Sequence, residues 1–390
     1  MKKIIAILLM VFPLFVFSQS VWIVDDDDPG ADFNNIRDAV NASQPGDTIK
    51  VQPGLYPGEV SIGKKIILMG LDTTAIISNG PNVIRMNSGS AGTVIRNLKI
   101  MGNIYFSYTN SGEKIIFSSN AIYGDMNAAD QVILANNICY DTQINAANGA
   151  IIYNNNFLKT YDHSKVPVSV GGNEKSTLVL YNVFKGDHAR AIYINGLANI
   201  IANTFDGVVI AIQNYSNGSK IYNNIFKNSN IGISYYVGNV GAGIIANNIF
   251  YNLDTGIDQE FSLGIAMIIN NIFYNVTTID SRENVSEKKY WYNCFYNSGT
   301  LPQGLNNMEA DPQFVDAANG DFSLQSSSPC INAGNPDKMY LDLDLSRNDM
   351  GIYGGSHSLS NYENTNPAVL FMNVSVLNGN LRITGGGIAK

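Results

Sequence analysis

GDHAR, residues 186 to 190, places a carboxylate (Asp187), an imidazole (His188) and a guanidinium (Arg190) within five positions. An aspartate can orient a histidine as a general base, and an arginine can neutralise the carboxylate of an acidic sugar while a neighbouring proton is removed. The chain has three histidines, and two of them, His163 and His188, stand beside an aspartate. Asp258 and Glu260 form a second candidate set. Two positions apart on one strand, their Cα atoms would lie about 6.7 Å apart, a separation compatible with the paired carboxylates of glycosidases. The commoner reading of both sets is polar residues in turns and on wetted strand faces. Two carboxylate runs, Asp25 to Asp28 and the group Asp342, Asp344 and Asp349, could offer oxygen ligands to Ca²⁺. Neither has the EF-hand spacing or the Gly-Gly-x-Gly-x-Asp repeat. Solvated or capping segments are expected there, with no metal site and no cofactor implied beyond an open place for Ca²⁺.

Such residues need a scaffold, and the chain supplies one by repeating itself. IIANNIFYNLDTG begins at 244 and IINNIFYNVTTID at 268. Counted from the Asn two places before the recurrent Phe, the series runs Asn97, Asn120, Asn137, Asn155, Asn182, Asn203, Asn224, Asn248, Asn271, Asn293. The intervals lie between 17 residues (Asn120 to Asn137) and 27 (Asn155 to Asn182). They suit a coil of three short strands and are too short for a helical-hairpin repeat or a propeller blade. An apolar residue stands three places before each Asn, and Phe two places after it in most coils, from Phe157 to Phe295. An unbroken strand would send two positions five apart to opposite faces, so the chain must turn between them. Asn adopts the left-handed α conformation more readily than other non-glycine residues. A left-handed residue is therefore expected at each Asn of the series, with the amides laddered between coils stacked about 4.8 Å apart. The Asn-Asn pair reads as a corner, not as a catalytic pair.

A second recurrent stretch appears as RAIYIN at 190, VIAIQN at 209, GISYY at 232 and GIDQEF at 256, alternating apolar and polar residues like a strand with one wetted face. Its outward positions are expected in two columns, Tyr193, Ala211, Ser234, Asp258 and Asn195, Gln213, Tyr236, Glu260. Rings, amides and carboxylates in a strip suit a sugar chain, which makes Tyr193, Asn195, Gln213, Ser234 and Tyr236 the expected binding residues. The fold expected is all-β, a parallel β-solenoid of about ten or more three-strand coils. A short amphipathic helix over residues 32 to 43, with Phe33, Ile36 and Val40 at helical spacing and Asp32 as N-cap, would cover its first edge.

The opening MKKIIAILLMVFPLFVFSQS has the two lysines, apolar stretch and small polar end of a secretory signal peptide, too short for a comfortable membrane span. The expected layout is a signal peptide over 1–18, a solenoid domain with its cap and closing segment over 19–356, and a linker with a short β tail over 357–390. The tail carries two strands around Asn378-Gly379. No transmembrane segment is expected in the mature chain, and export to the outside or the cell surface is. Only 14% of residues are charged, against about 25% in an average globular chain, and the formal net charge is −8. This argues against nucleic acid as a partner. Three cysteines, Cys139, Cys294 and Cys330, show no metal-ligand spacing. Cys139 and Cys294 hold apolar positions of the repeat, where a thiol acts as a small hydrophobe.

Residues 23 to 70, IVDDDDPGADFNNIRDAVNASQPGDTIKVQPGLYPGEVSIGKKIILMG, resemble the opening of secreted right-handed parallel β-helix proteins of the pectate-lyase-like superfamily. The Asn-x-Phe coils resemble its generic repeat, and residues 310 to 355 are similar to the closing segment of many such bacterial proteins. The resemblance covers residues 22 to 356. It implies a right-handed helix of three-strand coils and a family of lyases, hydrolases, epimerases and adhesins. It does not choose among them. The hydrolase set of three aspartates with His-Gly is not present, nor a clear lyase set of calcium-binding aspartates beside a catalytic Arg or Lys. A secreted protein binding polysaccharide or glycan along an outward groove without catalysis, and a polysaccharide lyase or glycoside hydrolase, are the two readings that result.

Overall fold

The structure is a computed structural model. It describes residues 19–390 except position 79 and residues 108–111, 160–163, 217, 237–242, 260–266, 283–289, 361–367, 378–379 and 389–390. Residues 1–18, expected to be a signal peptide, and His163 and Glu260 lie outside the described residues. Three stacks of short parallel strands run the length of the molecule. The first face begins at Val21–Val24 and Thr48–Val51 and continues through Ala198–Ile201 and Lys220–Tyr222 to Gly304–Leu305. The second, which carries the phenylalanines, runs from Gly54–Pro57 through Thr204–Asp206 and Ile225–Lys227 to Met308–Glu309. The third runs from Val60–Ile62 through Ile192–Ile194, Ile210–Asn214 and Ile231–Tyr235. It merges with the second in Ile249–Asp258 and Ile272–Asp280, where one strand crosses both faces. This is the parallel β-solenoid that the repeat predicts.

The corner between the first two faces departs from expectation by one residue. The left-handed residues are Asn97, Ser119, Asn136, Asn154, Tyr181, Ala202, Asn223, Asn247, Asn270 and Tyr292, each with φ between 50° and 59°. Every one except Asn97 directly precedes an Asn of the predicted series. The series residues themselves point inward and are almost fully buried, from Asn120 to Asn293. From Asn137 onward each Oδ1 accepts two bonds from the Asn one coil earlier; Asn203, for example, accepts from the Asn182 N–H and Nδ2, both at 2.9 Å. Asn97 belongs to the left-handed position, and the ladder position of its coil is Leu98, whose N–H donates to Asn120 Oδ1 at 3.1 Å. At the other end the ladder extends to Asn307. One Asn of the repeated pair turns the backbone, and the next satisfies buried backbone groups.

A second left-handed corner joins the second and third faces, at Asp141, Asn228, Asn252, Asn275 and Asn297. In two intervening coils glycine fills it, Gly186 (φ 101°) and Gly207 (φ 70°). Inside, Phe157, Phe184, Phe205, Phe226, Phe250, Phe273 and Phe295 are stacked with ring centroids 4.5–5.1 Å apart. All are buried, and they form the spine of the core.

The N-terminal helix spans Ile36–Ala42 and buries Ile36, Ala39 and Val40. Its N-cap is Asn35, whose side chain accepts the Asp38 N–H at 2.9 Å. Asp32, the expected cap, instead accepts the Ile23 N–H. Phe33 pairs with Val24 through an isolated bridge and sets its ring against Trp22, so the chain is still extended there and the helix starts later. The final coil is followed by a closing segment, residues 310–359, that folds back along the outside near the first corner. It covers the outward residues that separate ladder Asn from Phe. That column is exposed early, at Ile138 (41%) and Val183 (38%), and buried at Ile225, Ile249, Ile272 and Cys294. The left-handed asparagines fix the segment: Asn223 Nδ2 donates to Ile352 O and Gly354 O, and Asn247 Nδ2 to Asp349 O and Gly351 O. Beyond it, Ala368–Leu377 and Asn380–Ile388 form an antiparallel pair.

Candidate functional site

The third face carries the wetted strands, and its register differs from the sequence expectation. Tyr193 pairs with Gln213, Gln213 with Ser234, and Ser234 with Asp258. Ala211 is not in this column. It is fully buried with Ala191, and Gly232 occupies the same inward place, where a Cβ would meet the Phe250 ring at 2.9 Å. The mark of register is a small residue followed by Ile: Ala191-Ile192, Ala211-Ile212, Gly232-Ile233, Gly256-Ile257. Aligning on it moves Gln213 beside Tyr193. The second outward column is then Asn195, Tyr215, Tyr236, following the backbone bonds Tyr215 N–H to Ile194 O and Tyr236 N–H to Asn214 O. Tyr215 is the residue missed, and this alignment would have found it.

Tyr215 and Tyr236 stack with centroids 5.0 Å apart and planes 9° from parallel, while Tyr193 leans on Tyr215 at 5.4 Å. The two stacked rings turn their faces toward each other. The strip therefore offers a ligand phenol hydroxyls and ring edges, with Asn195 exposed beside them. Burial first, then the neighbouring phenols, hold the Tyr215 hydroxyl above its usual range, and nearby Arg190 pulls it back. Gln213 is 5% exposed; its Nε2 meets Tyr215 Oη at 3.4 Å and its Oε1 has no hydrogen-bond partner. A buried acceptor left open in a polar strip is costly unless something donates to it.

Asp258 is held from both sides, Ser281 Oγ donating to Oδ1 at 2.8 Å and Ser234 Oγ to Oδ2 at 3.2 Å. Ser234 is buried by these contacts. The GDHAR residues do not share one surface. Asp187 and Arg190 are exposed, whereas His188 is turned into the interior, 3% exposed. The Val209 N–H to His188 O bond and the Asn230 N–H to Val208 O bond place His188 in one column with Val208 and Ser229. There Ser229 Oγ bonds the Lys227 carbonyl, but the imidazole leaves Nε2 unpaired. Burial, the largest cause, pushes His188 down to about 4. An imidazole so placed is screened from a substrate on the outer strip.

The sign of the resulting pH dependence follows from the proton count. The unfolded chain takes up a proton on His188 near pH 6.5 and the folded chain only near 4. Stability from this site is thus complete above pH 6.5 and falls away as the pH drops toward 4, by about 3 kcal/mol at most. His357, lowered mainly by burial, acts in the same sense. Denaturant melts of His188→Ser, which restores the hydroxyl found at Ser229, are expected to lose less stability between pH 7 and pH 4.5 than the parent. Parallel curves would remove His188 as the cause.

Of the carboxylate runs, Asp25, Asp26 and Asp27 bring their oxygens within 4.8 Å of one another. Asp26 accepts the Leu55 N–H, and Asp25 the Asp27 N–H. A bond to Asp25 and its charge raise Asp27. Asp342 accepts from Gly355 and Asp349 N–H groups and is raised to about 6, chiefly by burial.

No protein-family model matches the chain, and no curated protein matches it. Solved structures do. XylC in complex with xylose aligns over 76% of this chain and 87% of its own, at 10% identity and a TM-score of 0.50. A family 6 polysaccharide lyase from Pseudopedobacter saltans aligns over 76% and 96%, at 13% identity and 0.41. A family 28 exopolygalacturonase from Yersinia enterocolitica aligns over 76% and 77%, at 12% identity and 0.42. At these identities the likeness is one of fold. Among the described residues no helix is long and apolar enough to cross a membrane.

Proposed function

For a chain with the parallel β-helix fold of the pectate-lyase-like proteins, we propose that it is an exported protein that binds a polysaccharide laid across the coils of the third face. The observation that carries this reading is the strip of Tyr193, Tyr215 and Tyr236, with Asn195 exposed beside it and the Gln213 amide bonded to the Tyr215 hydroxyl. Sugar hydroxyls bond the phenols and the exposed Asn195 amide, while the buried Gln213 amide donates to the Tyr215 hydroxyl from behind. A row repeated coil after coil fits a repeating polymer better than a single small molecule. The low charge of the chain and its negative balance favour a neutral glycan.

Affinity electrophoresis or calorimetry against a panel of soluble polysaccharides tests the reading. Tyr215→Phe keeps the ring stack and deletes only the hydroxyl, so it is expected to weaken binding by about fivefold to tenfold, the worth of one polar contact. Affinity unchanged in both Tyr215→Phe and Gln213→Leu, or no binding to any polysaccharide, would sink it.

A second reading, a lyase or hydrolase, is favoured by one feature, the Asp258 carboxylate fixed by two hydroxyls in the same column as Tyr193 and Gln213. Release of unsaturated ends or new reducing ends, measured with and without Ca²⁺ and abolished by Asp258→Asn, would turn the binding strip into an active site.

A further inference from the structure

The apolar column beneath the closing segment includes a thiol in its last coils. Ile225, Ile249 and Ile272 are succeeded by Cys294, which pairs with Ile272 in register and points outward, away from the phenylalanine spine. Covering it is Cys330 of the closing segment, fixed by its N–H to Ser328 Oγ at 3.1 Å and by its carbonyl to the Met350 N–H at 3.0 Å. Both lie in one buried apolar cluster under the closing segment, where the Cys294 thiol acts directly on Cys330, and Cys294 Sγ reaches Ala310 O at 3.2 Å. Both residues are 0% exposed. Cys139 lies elsewhere, paired in register with Phe157 in the main core. The odd count of cysteines thus resolves into one facing pair and one isolated thiol.

We propose that Cys294 and Cys330 close to a disulfide that clamps the closing segment onto the last coils of the solenoid. Oxidation is by thiol-disulfide exchange. One thiolate attacks a small-molecule or protein disulfide, expelling one of its thiolates, and the second cysteine then attacks the mixed disulfide and expels the other. Two cysteine thiols lose two electrons and two protons, and one oxidant disulfide is reduced to two thiols. The export read from residues 2–17 delivers the chain to a compartment where such oxidants are present. The neighbouring Cys294 thiol, and then burial, push Cys330 far above the usual thiol range, so the docked, reduced pair is inert. Exchange therefore occurs before the closing segment docks, and the bond once made is sealed from reductant.

The test uses the full chain, refolded with oxidised and reduced glutathione and compared with the chain kept in reductant. On oxidation, the thiols titrated after unfolding are expected to fall from three to one, with a peptide map joining the segments that hold Cys294 and Cys330. Limited proteolysis within residues 310–359 is expected to slow by about tenfold or more, because the crosslink disfavours opening of that segment. Cys139→Ser should keep the protection, with its titratable thiols falling from two to none, and Cys330→Ser should abolish the protection. Three titratable thiols after oxidation, a crosslink that includes Cys139, or equal protection in Cys330→Ser would each overturn the proposal.

Discussion

Asn155→Ala is expected to destabilise the solenoid by about 4 kcal/mol, while Asn154→Gly, one residue away in the same Asn-Asn pair, changes stability by less than about 1 kcal/mol. Asn155 Oδ1 accepts the Asn137 N–H and Nδ2, both at 2.9 Å. Its own Nδ2 donates to Leu134 O, Tyr153 O and Asn182 Oδ1 at 3.0–3.1 Å. Truncation to a methyl group strands a buried donor on one coil and buried carbonyls on two, each worth about 1–3 kcal/mol when unsatisfied. Water has no path to replace the amide, since Asn155 is 2% exposed. The ladder is also continuous, so the loss passes to Asn137 and Asn182, whose amides polarise one another through it. Asn154 has φ 50° and a single side-chain bond to Asn136. Glycine accepts that conformation without strain. Denaturant titration with hydrogen exchange at Asn137 and Asn155 measures the contrast. Equal costs for the two substitutions would mean that the amides are interchangeable, and the assignment of one to the turn and one to the ladder would fail.

The contrast also explains what could be read from the sequence. Periodicity located the coils, because a ladder amide recurs from Asn120 to Asn293 and a core ring from Phe157 to Phe295 at fixed offsets. Where both positions are Asn, as in Asn247-Asn248, residue type cannot say which of them turns. Tyr181-Asn182, Ala202-Asn203 and Tyr292-Asn293 decide it: the second position keeps Asn and the first accepts Tyr or Ala. The left-handed corner tolerates many residues at a small cost, whereas the buried amide gives way only at the start of the ladder, at Leu98. Register on the wetted strand was harder. Its alternation is the same after a slip of two, and only the small residue facing the phenylalanine spine breaks the tie. His188 was unreadable for a different reason. In its coil the inward position is four places after Phe184, whereas Ser229 is three places after Phe226, so counting places the imidazole on the surface. The closing segment does leave a trace in the coils it covers, where Asn156, Val183 and Thr204 change to Ile225, Ile249, Ile272 and Cys294.

Phe226→Ala is the substitution expected to cost most, about 5 kcal/mol. The side chain is 0% exposed and lies 5.1 Å from the Phe205 ring and 4.8 Å from Phe250, at 5° and 15° from parallel. Removing a buried phenyl group costs about 3–5 kcal/mol in transfer and cavity terms, and each ring pair adds about 0.5–1.5 kcal/mol. The neighbours cannot collapse into the gap, because strand pairing above and below fixes their spacing. Phe226→Leu should cost less than half as much, since the same column carries Ile122 and Cys139 nearer the N-terminus. In a stack of coils that touch only their neighbours, the loss is local. Hydrogen exchange in Phe226→Ala is expected to rise between residues 204 and 258 and to stay at parent values around Ile49 and Leu68. That region includes Gln213, Tyr215 and Tyr236, so this variant also tests the outer strip from within. Glycan affinity should fall in Phe226→Ala, where the coils loosen, and hold in Phe226→Leu, where the strip keeps its spacing. Uniform exchange along the whole chain would instead show that the solenoid opens as one unit, and a binding loss in both variants could then not be assigned to the tyrosine strip.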